Sequence, residues 1–368
     1  RFSSSGALLY STYLGGDSRD QGNTLAPDGD GDVWITGFTE STDFPVTDNA
    51  YLGSKPSNKY EKDAFVSCFS SDGVLLYSTY LGGSFKDVGS ALAPDGAGGV
   101  WVAGYTSSNN FPITADAYQR QRLFPGLGYS TDAFVSRFSS TGDLIYSTFL
   151  GAEDWSSEGY ALAPDGVGGV WVAGGTGAYG FPVTDDAYQE SKSGSSYVYA
   201  AFVSRFSSTG ALLYSTYLGG SSTDEGYALA PDGAGGVWVA GRTFSTDFPV
   251  TDDAYQMSYG GGDGYNQGDA FVSRFSSEGV LLYSTYLGGN NIDSTSALAS
   301  DGSGDIWVTG KTQSNNFPVT SDAYQGSYGG GLYDAFISRF SAGGGIQPLF
   351  RPGDTVELAE KARGHLRV

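Results

Sequence analysis

Strand-length apolar runs bounded by Gly, Asp, Ser or Pro follow one another along this chain, the pattern of short antiparallel strands joined by turns. One set reads "SALAPDG" from Ser90, "GGVWVAGYT" from Gly98, "DAFVSRFS" from Asp132 and "DLIYSTFLG" from Asp143. The set recurs. Its last word, "YSTYLGG" or a near copy, starts at Tyr10, Tyr77, Tyr146, Tyr214 and Tyr283, a period of about 68 residues. Four strands per period, five times over, predict an all-β fold, a five-bladed β-propeller of four-stranded antiparallel blades, rather than a sandwich or a solenoid. Blades are expected at about 17–83, 84–151, 152–220, 221–289 and 290–342, the last together with 1–16. A linker and C-terminal tail follow over 343–368.

Within a blade the strands are labelled A to D from the axis outward. Strand A is built on the small residues "ALA", which suit a narrow centre where blades converge. Strand B carries Trp34, Trp101, Trp171, Trp238 and Trp307, one per repeat, a register expected of packing between blades. The A–B turns, such as "PDGAGGVW", join an Asp that can bond the backbone ahead to a Gly that tolerates positive φ. The B–C connection repeats "NFPITADAYQ" and its variants, then diverges after the Tyr. A shared anchor with a variable tip is where binding residues usually sit.

Together "STYLGG", "DG.G.VWV.G.T", "S.NFP.T..AYQ" and "DAFVSRFS" strongly resemble the SBBP family of bacterial and archaeal β-propeller repeats, over residues 1 to about 342. Ala200 stands where Asp63, Asp132, Asp269 and Asp334 stand elsewhere, and Ser300 and Thr295 replace the Pro and Gly of other A strands. The resemblance implies an exported or surface-attached protein with a binding or scaffolding role, and it carries no catalytic residues to transfer.

Composition narrows this further. Aromatic residues at 15% with 57 Gly and only 16% charged residues describe an ordered all-β chain. A formal net charge of −21 argues against nucleic acid or anionic membrane as partner. No run approaches the ~18 apolar residues of a membrane span, and the first residues lack a signal-peptide pattern. The single cysteine, Cys68, occupies the register of Arg137, Arg205, Arg274 and Arg339, so it reads as repeat drift. The single histidine, His365, falls in the tail, which removes Ser-His-Asp and histidine-metal chemistry from the repeats. The expectation is a protein that is not an enzyme, located outside the cell or on its surface.

Three candidate sites remain. Asp20, Asp87, Asp224 and Asp293 share one place in the D–A loops and would form a cation ring if they faced the axis; otherwise each bonds its own loop. Asp28, Asp30 and Asp32 imitate the start of a calcium loop, although an ordinary turn also explains them, so calcium is the one cofactor to consider. Tyr129, Trp155, Tyr179, Tyr197 and Tyr265 in the variable loops would suit sugar faces or loop packing. The partners that follow are other surface proteins or copies of this chain, joined by exposed strand edges, with glycans as the alternative and glycoside hydrolysis by a carboxylate pair as a third reading.

The fifth repeat has A, B and C strands and then loses its D strand to "AGGGIQPLF", while the chain opens on "RFSSSGALLYSTYLGG". Residues 7–16 are therefore expected to supply the outer strand of the last blade and to close the ring, the rival reading being a longer array cut within a repeat, which predicts unpaired blade edges. The tail offers helix formers with several basic residues.

Overall fold

The computed structural model describes residues 1–123, 130–195, 197–261 and 267–341. Among them lie nineteen strands and no helix. Each sheet keeps sequence order and is antiparallel throughout. The first holds β1 (Asp20–Pro27), β2 (Val33–Thr39), β3 (Asp63–Phe69) and β4 (Leu75–Leu81), and the second β5 (Asp87–Pro94), β6 (Val100–Thr106), β7 (Asp132–Phe138) and β8 (Leu144–Leu150). The third holds β9 (Ser157–Pro164), β10 (Val170–Thr176), β11 (Ala200–Phe206) and β12 (Leu212–Leu218). The fourth holds β13 (Asp224–Pro231), β14 (Val237–Thr243), β15 (Asp269–Phe275) and β16 (Leu281–Leu287). The last is three-stranded: β17 (Asp293–Ser300), β18 (Ile306–Thr312) and β19 (Asp334–Phe340).

Local chemistry sets these elements. In the A–B turn of the second blade, Asp95 Oδ1 accepts from the backbone N–H of Ala97 and of Gly99, both at 2.8 Å, and Gly96 and Gly98 adopt φ of +74° and +81°. A side chain at either glycine would strain the turn. Every A strand carries a one-residue bulge, as between Gly89 and Ala91, which adds twist to each sheet. The outer strand bulges too, so Leu76, Ile145, Leu213 and Leu282 turn outward while the tyrosines that follow them stay buried.

Consecutive sheets pack through their first strands, β1 on β5, β5 on β9, β9 on β13 and β13 on β17. Four apolar cores fill these interfaces, and Trp34, Trp101, Trp171 and Trp238 are each buried in one of them. At about 25 cal/mol per Å², one such indole contributes roughly 5 kcal/mol of burial. The tryptophans thus pack between blades, as expected. The indole N–H also crosses the interface: Trp101 donates to Gly168 O at 3.1 Å, Trp171 to Gly235 O at 3.2 Å and Trp238 to Gly304 O at 3.2 Å. An arginine clamps each contact. Arg137 lies over Trp101, bonds Asp95 at 2.8 Å and donates to Ser208 O of the next sheet at 2.6 Å. Arg205 repeats the arrangement with Trp171, Asp165 and Ser277. Cys68 takes the arginine's place in the first sheet, and there Trp34 Nε1 has no partner.

The expected ring closure is not formed. Residues 7–16 make no strand, and among the described residues no interface core joins the fifth sheet to the first. Leu25 of β1 is 64% exposed, whereas Leu92, Leu162 and Leu229 in the same register are 7–9% exposed. The N-terminal segment instead sits on the first sheet in the place that each preceding blade's outer strand occupies elsewhere. Tyr10 covers Gly73 as Tyr77 covers Gly142, Tyr146 covers Gly210 and Tyr214 covers Gly279, all at φ of +82° to +89°. Arg1 donates to Ser71 O as Arg137 donates to Ser208 O. These contacts hold the segment at one end of the row and away from β19 at the other.

Candidate functional site

In the first, third and fourth blades the outer strand is seated by one set of bonds, and the second keeps its serine and threonine bonds but has Phe149 in place of the tyrosine. Ser78 Oγ of β4 meets Ser67 Oγ of β3 at 2.9 Å and donates to Pro45 O at 2.6 Å. Leu52 N donates to Thr79 Oγ1 at 2.8 Å, and Tyr80 Oη accepts from Phe44 N at 3.1 Å while donating to Ser41 O at 2.9 Å. The third and fourth blades repeat this set with Ser215, Thr216 and Tyr217 and with Ser284, Thr285 and Tyr286. Outer strands thus lock the B–C loop onto the blade.

The last blade has the same receptor and, among the described residues, no outer strand. Phe317, Pro318, Thr320, Tyr324, Gln325 and Ser338, which correspond to Phe44, Pro45, Thr47, Tyr51, Leu52 and Ser67, line a cavity of about 310 Å³ beside β19. Tyr324 is fully exposed and Trp307 half-buried, whereas their counterparts pack against the outer strand and the next blade. Sequence reading found the missing strand but not this groove, because the groove arises only when the B–C loop folds over strand C.

A buried charge pattern runs along the other side of the blades. The loop residue four after the anchor tyrosine is Lys55, Arg122, Lys192 and then Tyr259. Lys55 bonds Asp63, and Arg122 Nε lies 3.4 Å from Asp132 Oδ2. In the third blade Ala200 removes the carboxylate, and Lys192 donates to Ser195 O and lies over the Tyr179 ring. In the fourth blade the carboxylate is present and the cation is gone. Asp269 and Asp293 both lie against Gly288, where a Cβ would come within 2.6 Å of Asp269 Oδ1 and 2.8 Å of Asp293 Oδ2. Both residues are fully buried. Burial, with Asp293 adjacent, pushes Asp269 up to about 7, and burial raises Asp293 as well. The register of Lys55, Arg122 and Lys192 was present in the sequence but hidden in loops of unequal content.

The acids expected to ring the channel begin the A strands rather than standing in loops. Each is engaged locally. Asp87 Oδ2 accepts from Gly83 N at 2.7 Å and from Ser108 Oγ at 2.9 Å, and Asp20, Asp224 and Asp293 repeat the pattern. Burial raises Asp87 and Asp224 to about 7. Asp87 lies beside Asp63 at Gly82 and Asp293 beside Asp269 at Gly288, each partner a strand C carboxylate of the preceding blade, and the structure does not bring the four together. In the first A–B turn Asp28 Oδ1 accepts from Asp30 N and Asp32 N, and Asp32 Oδ1 accepts from Ser71 N. Among the described residues no group of three or more potential metal-ligating side chains is assembled.

Two of the five loop aromatics meet. Trp155 and Tyr197 stand edge to face with centroids 5.8 Å apart, and Tyr179 Oη donates to Gly194 O at 2.9 Å beneath the Lys192 ammonium. Tyr197 is 80% exposed. Tyr129 and Tyr265 lie outside the described residues, as do His365 and the tail.

Residues 76–112, 213–249 and 282–318 match the family model of the β-propeller repeat SBBP. The chain carries SBBP repeats. Each matched stretch runs from the outer strand of one blade through strands A and B of the next to the Phe-Pro step, so the SBBP unit spans a blade interface. The chain is also similar to the regulatory protein FlaEY of Caulobacter vibrioides, with 30% identity over 147 residues. The match covers 39% of this chain and 14% of that protein.

Proposed function

We propose that this chain is a non-catalytic structural or adhesive module of an exported or surface-attached protein, and that it works by joining protein surfaces. One observation carries the reading: one apolar face, built on a tryptophan and clamped by an arginine, joins neighbouring blades repeatedly. Among the described residues, the Leu25 face of β1 and the Ile337 face of the last blade correspond to the two halves of that interface. The repeated polar residues are spent on turns and clamps, and the paired acids, Asp63 with Asp87 and Asp269 with Asp293, have no surface with which to meet a sugar. Glycoside hydrolysis therefore finds no support.

Glycan binding is the second reading, favoured by the Trp155–Tyr197 pair and by Tyr179 under the Lys192 ammonium, all in loops of the third blade. Aromatic faces beside an ammonium suit a sugar ring and its hydroxyls. Negative-stain imaging and a glycan array on the purified chain separate the two. Ordered rows of particles with no array signal support joining, and selective sugar binding by dispersed particles contradicts it.

A further inference from the structure

We propose that the third blade holds an arginine side chain of a partner protein against Glu158, Tyr160 and Trp155, in the place that Arg242 fills in the fourth blade. This rests on the surface-joining reading above and names a contact for it. The fourth blade shows the filled arrangement. Arg242 of β14 stands opposite Glu225 of β13, donates to Glu225 Oε2 at 3.0 Å and to Tyr227 Oη at 3.2 Å, and lies over the Phe244 ring at 4.7 Å. Tyr227 in turn donates to Glu225. The third blade repeats the acceptor: Glu158 Oε2 accepts from Tyr160 Oη at 2.9 Å, and Glu158 Oε1 accepts from Thr131 Oγ1 at 3.0 Å. Opposite Glu158, however, stands Gly175. Phe244 likewise has Gly177 as its counterpart, and the Trp155 ring fills the space where a Cβ on Gly177 would be. Acid, tyrosine and aromatic ring are all in place, and the arginine is replaced by glycine.

The register of Gly175 points to a cation as the occupant. Its counterparts are Phe38, Tyr105, Arg242 and Lys311, and every one of them joins a cation to an aromatic ring: Lys62 over Phe38 at 4.0 Å, Lys86 over Tyr105 at 4.7 Å and Lys311 over Tyr333 at 4.8 Å, besides Arg242. The basic side chains of the third blade are committed elsewhere, Lys192 to Ser195 O and the Tyr179 ring, Arg205 to Asp165 and the Trp171 ring. Among the described residues no lysine or arginine pairs with Glu158. Residues 124–129, 196 and 262–266 hold no lysine or arginine. Trp155, Glu158, Tyr160 and Tyr199 are all partly exposed, so a side chain from outside can reach them. Tyr199 and Tyr160 flank Gly175, 3.3 and 3.6 Å from where its Cβ would stand, and add two rings to the site. A planar guanidinium can bond a carboxylate edge-on and lie on a ring at the same time, as Arg242 does, and a chain of net charge −21 attracts a basic partner surface.

Calorimetric titration with a capped Gly-Arg-Gly peptide tests the contact, and the same peptide with citrulline, which keeps the shape and loses the charge, is its control. The chain should bind the arginine peptide about tenfold more tightly than the citrulline one. Glu158→Gln keeps an oxygen for the Thr131 and Tyr160 hydroxyls and should lose that preference. Glu278→Gln, which removes an equal charge from an exposed residue of the fourth blade, should keep it. Gly175→Arg should abolish binding by filling the site from within, since Gly175 is not at positive φ and its backbone accepts a side chain. Thermal melts establish that each variant is folded. Equal binding of the two peptides, or a preference that survives Glu158→Gln, would overturn the proposal. No binding of either peptide would overturn it as well, leaving the joining reading standing if unmodified protein still assembles by light scattering and overturning both if it does not. Residues 342–368 carry Arg351, Lys361, Arg363 and Arg367, and binding that appears only when all four are changed to Gln would give the site to this chain's own tail and overturn the partner.

Discussion

Replacing Asp269 by Asn should stabilise the protein at pH 8 and leave it nearly unchanged at pH 5. Asp269 is fully buried, and its Oδ2 accepts from Gly260 N at 2.7 Å and Gln256 Nε2 at 3.2 Å. Its Oδ1 has no partner and faces the Asp293 carboxylate across Gly288. With Tyr259 where Lys55 stands in the first blade, no cation offsets the pair. The folded carboxyl sits at about 7 against an ordinary value of 3.8, chiefly because burial penalises its charge. A raised carboxyl means the folded state binds more protons than the unfolded one between those values. Its stabilising share is complete below about pH 4 and is lost as the pH rises through 7. The full loss is roughly 4 kcal/mol, at about 1.4 kcal/mol per pH unit. Asparagine matches the protonated acid in shape, keeps an oxygen for Gly260 and offers an amide N–H to Asp293. The variant should therefore gain about 2–3 kcal/mol over the parent at pH 8, after allowance for imperfect amide geometry. The same exchange at Asp63 should have the opposite sign. It strands the Lys55 ammonium, whose side chain is only 3% exposed, at a cost of about 3 kcal/mol. Urea unfolding followed by tryptophan fluorescence at pH 5 and 8 reads both. An Asp269→Asn variant that is less stable at pH 8, or whose effect does not change with pH, would refute this reasoning.

Three further outcomes follow from the packing. Cys68→Arg should restore the clamp of the other blades, with Asp28, Trp34 and Ser140 O as partners, and raise stability by about 1–2 kcal/mol in thermal melts. Tyr217→Phe should cost about 1–2 kcal/mol in urea unfolding, because Phe181 N loses its acceptor and Ala178 O its donor; a loss below ~0.5 kcal/mol would mean the hydroxyl does not hold the loop. Excess calcium should leave the melting midpoint unchanged, because Asp28 and Asp32 already bond the turn and Asp20, Asp87, Asp224 and Asp293 are held apart in their own blades. A rise of several degrees would restore calcium as a ligand.

Much of the fold was legible because every strand obeys local rules that repeat. The Trp register foretold the interface, the Asp-Gly turn its hairpin, and Cys68 its drift from an arginine position whose clamp is now visible. The identity of "LLYSTYLGG" with three later outer strands was also legible, but its location was not. Sequence pattern specifies which groove a strand fits and is silent on which copy of the groove it occupies, and here Tyr10 on Gly73 and Arg1 on Ser71 hold it to the first blade. The carboxylate positions were readable and their consequence was not. Whether Asp269 is costly depends on a loop residue ten positions earlier, Tyr259 in place of a lysine, and on the approach of Asp293 from another blade. Such long-range charge balance leaves no periodic trace.

Sedimentation velocity of the unmodified chain across a wide concentration range tests the central claim most directly. If the end faces join protein surfaces, the weight-average sedimentation coefficient rises with concentration, and it falls back when Leu25 on the open face of β1 is changed to Asp. A single monomer boundary at every concentration, unaltered by Leu25→Asp, would contradict the account.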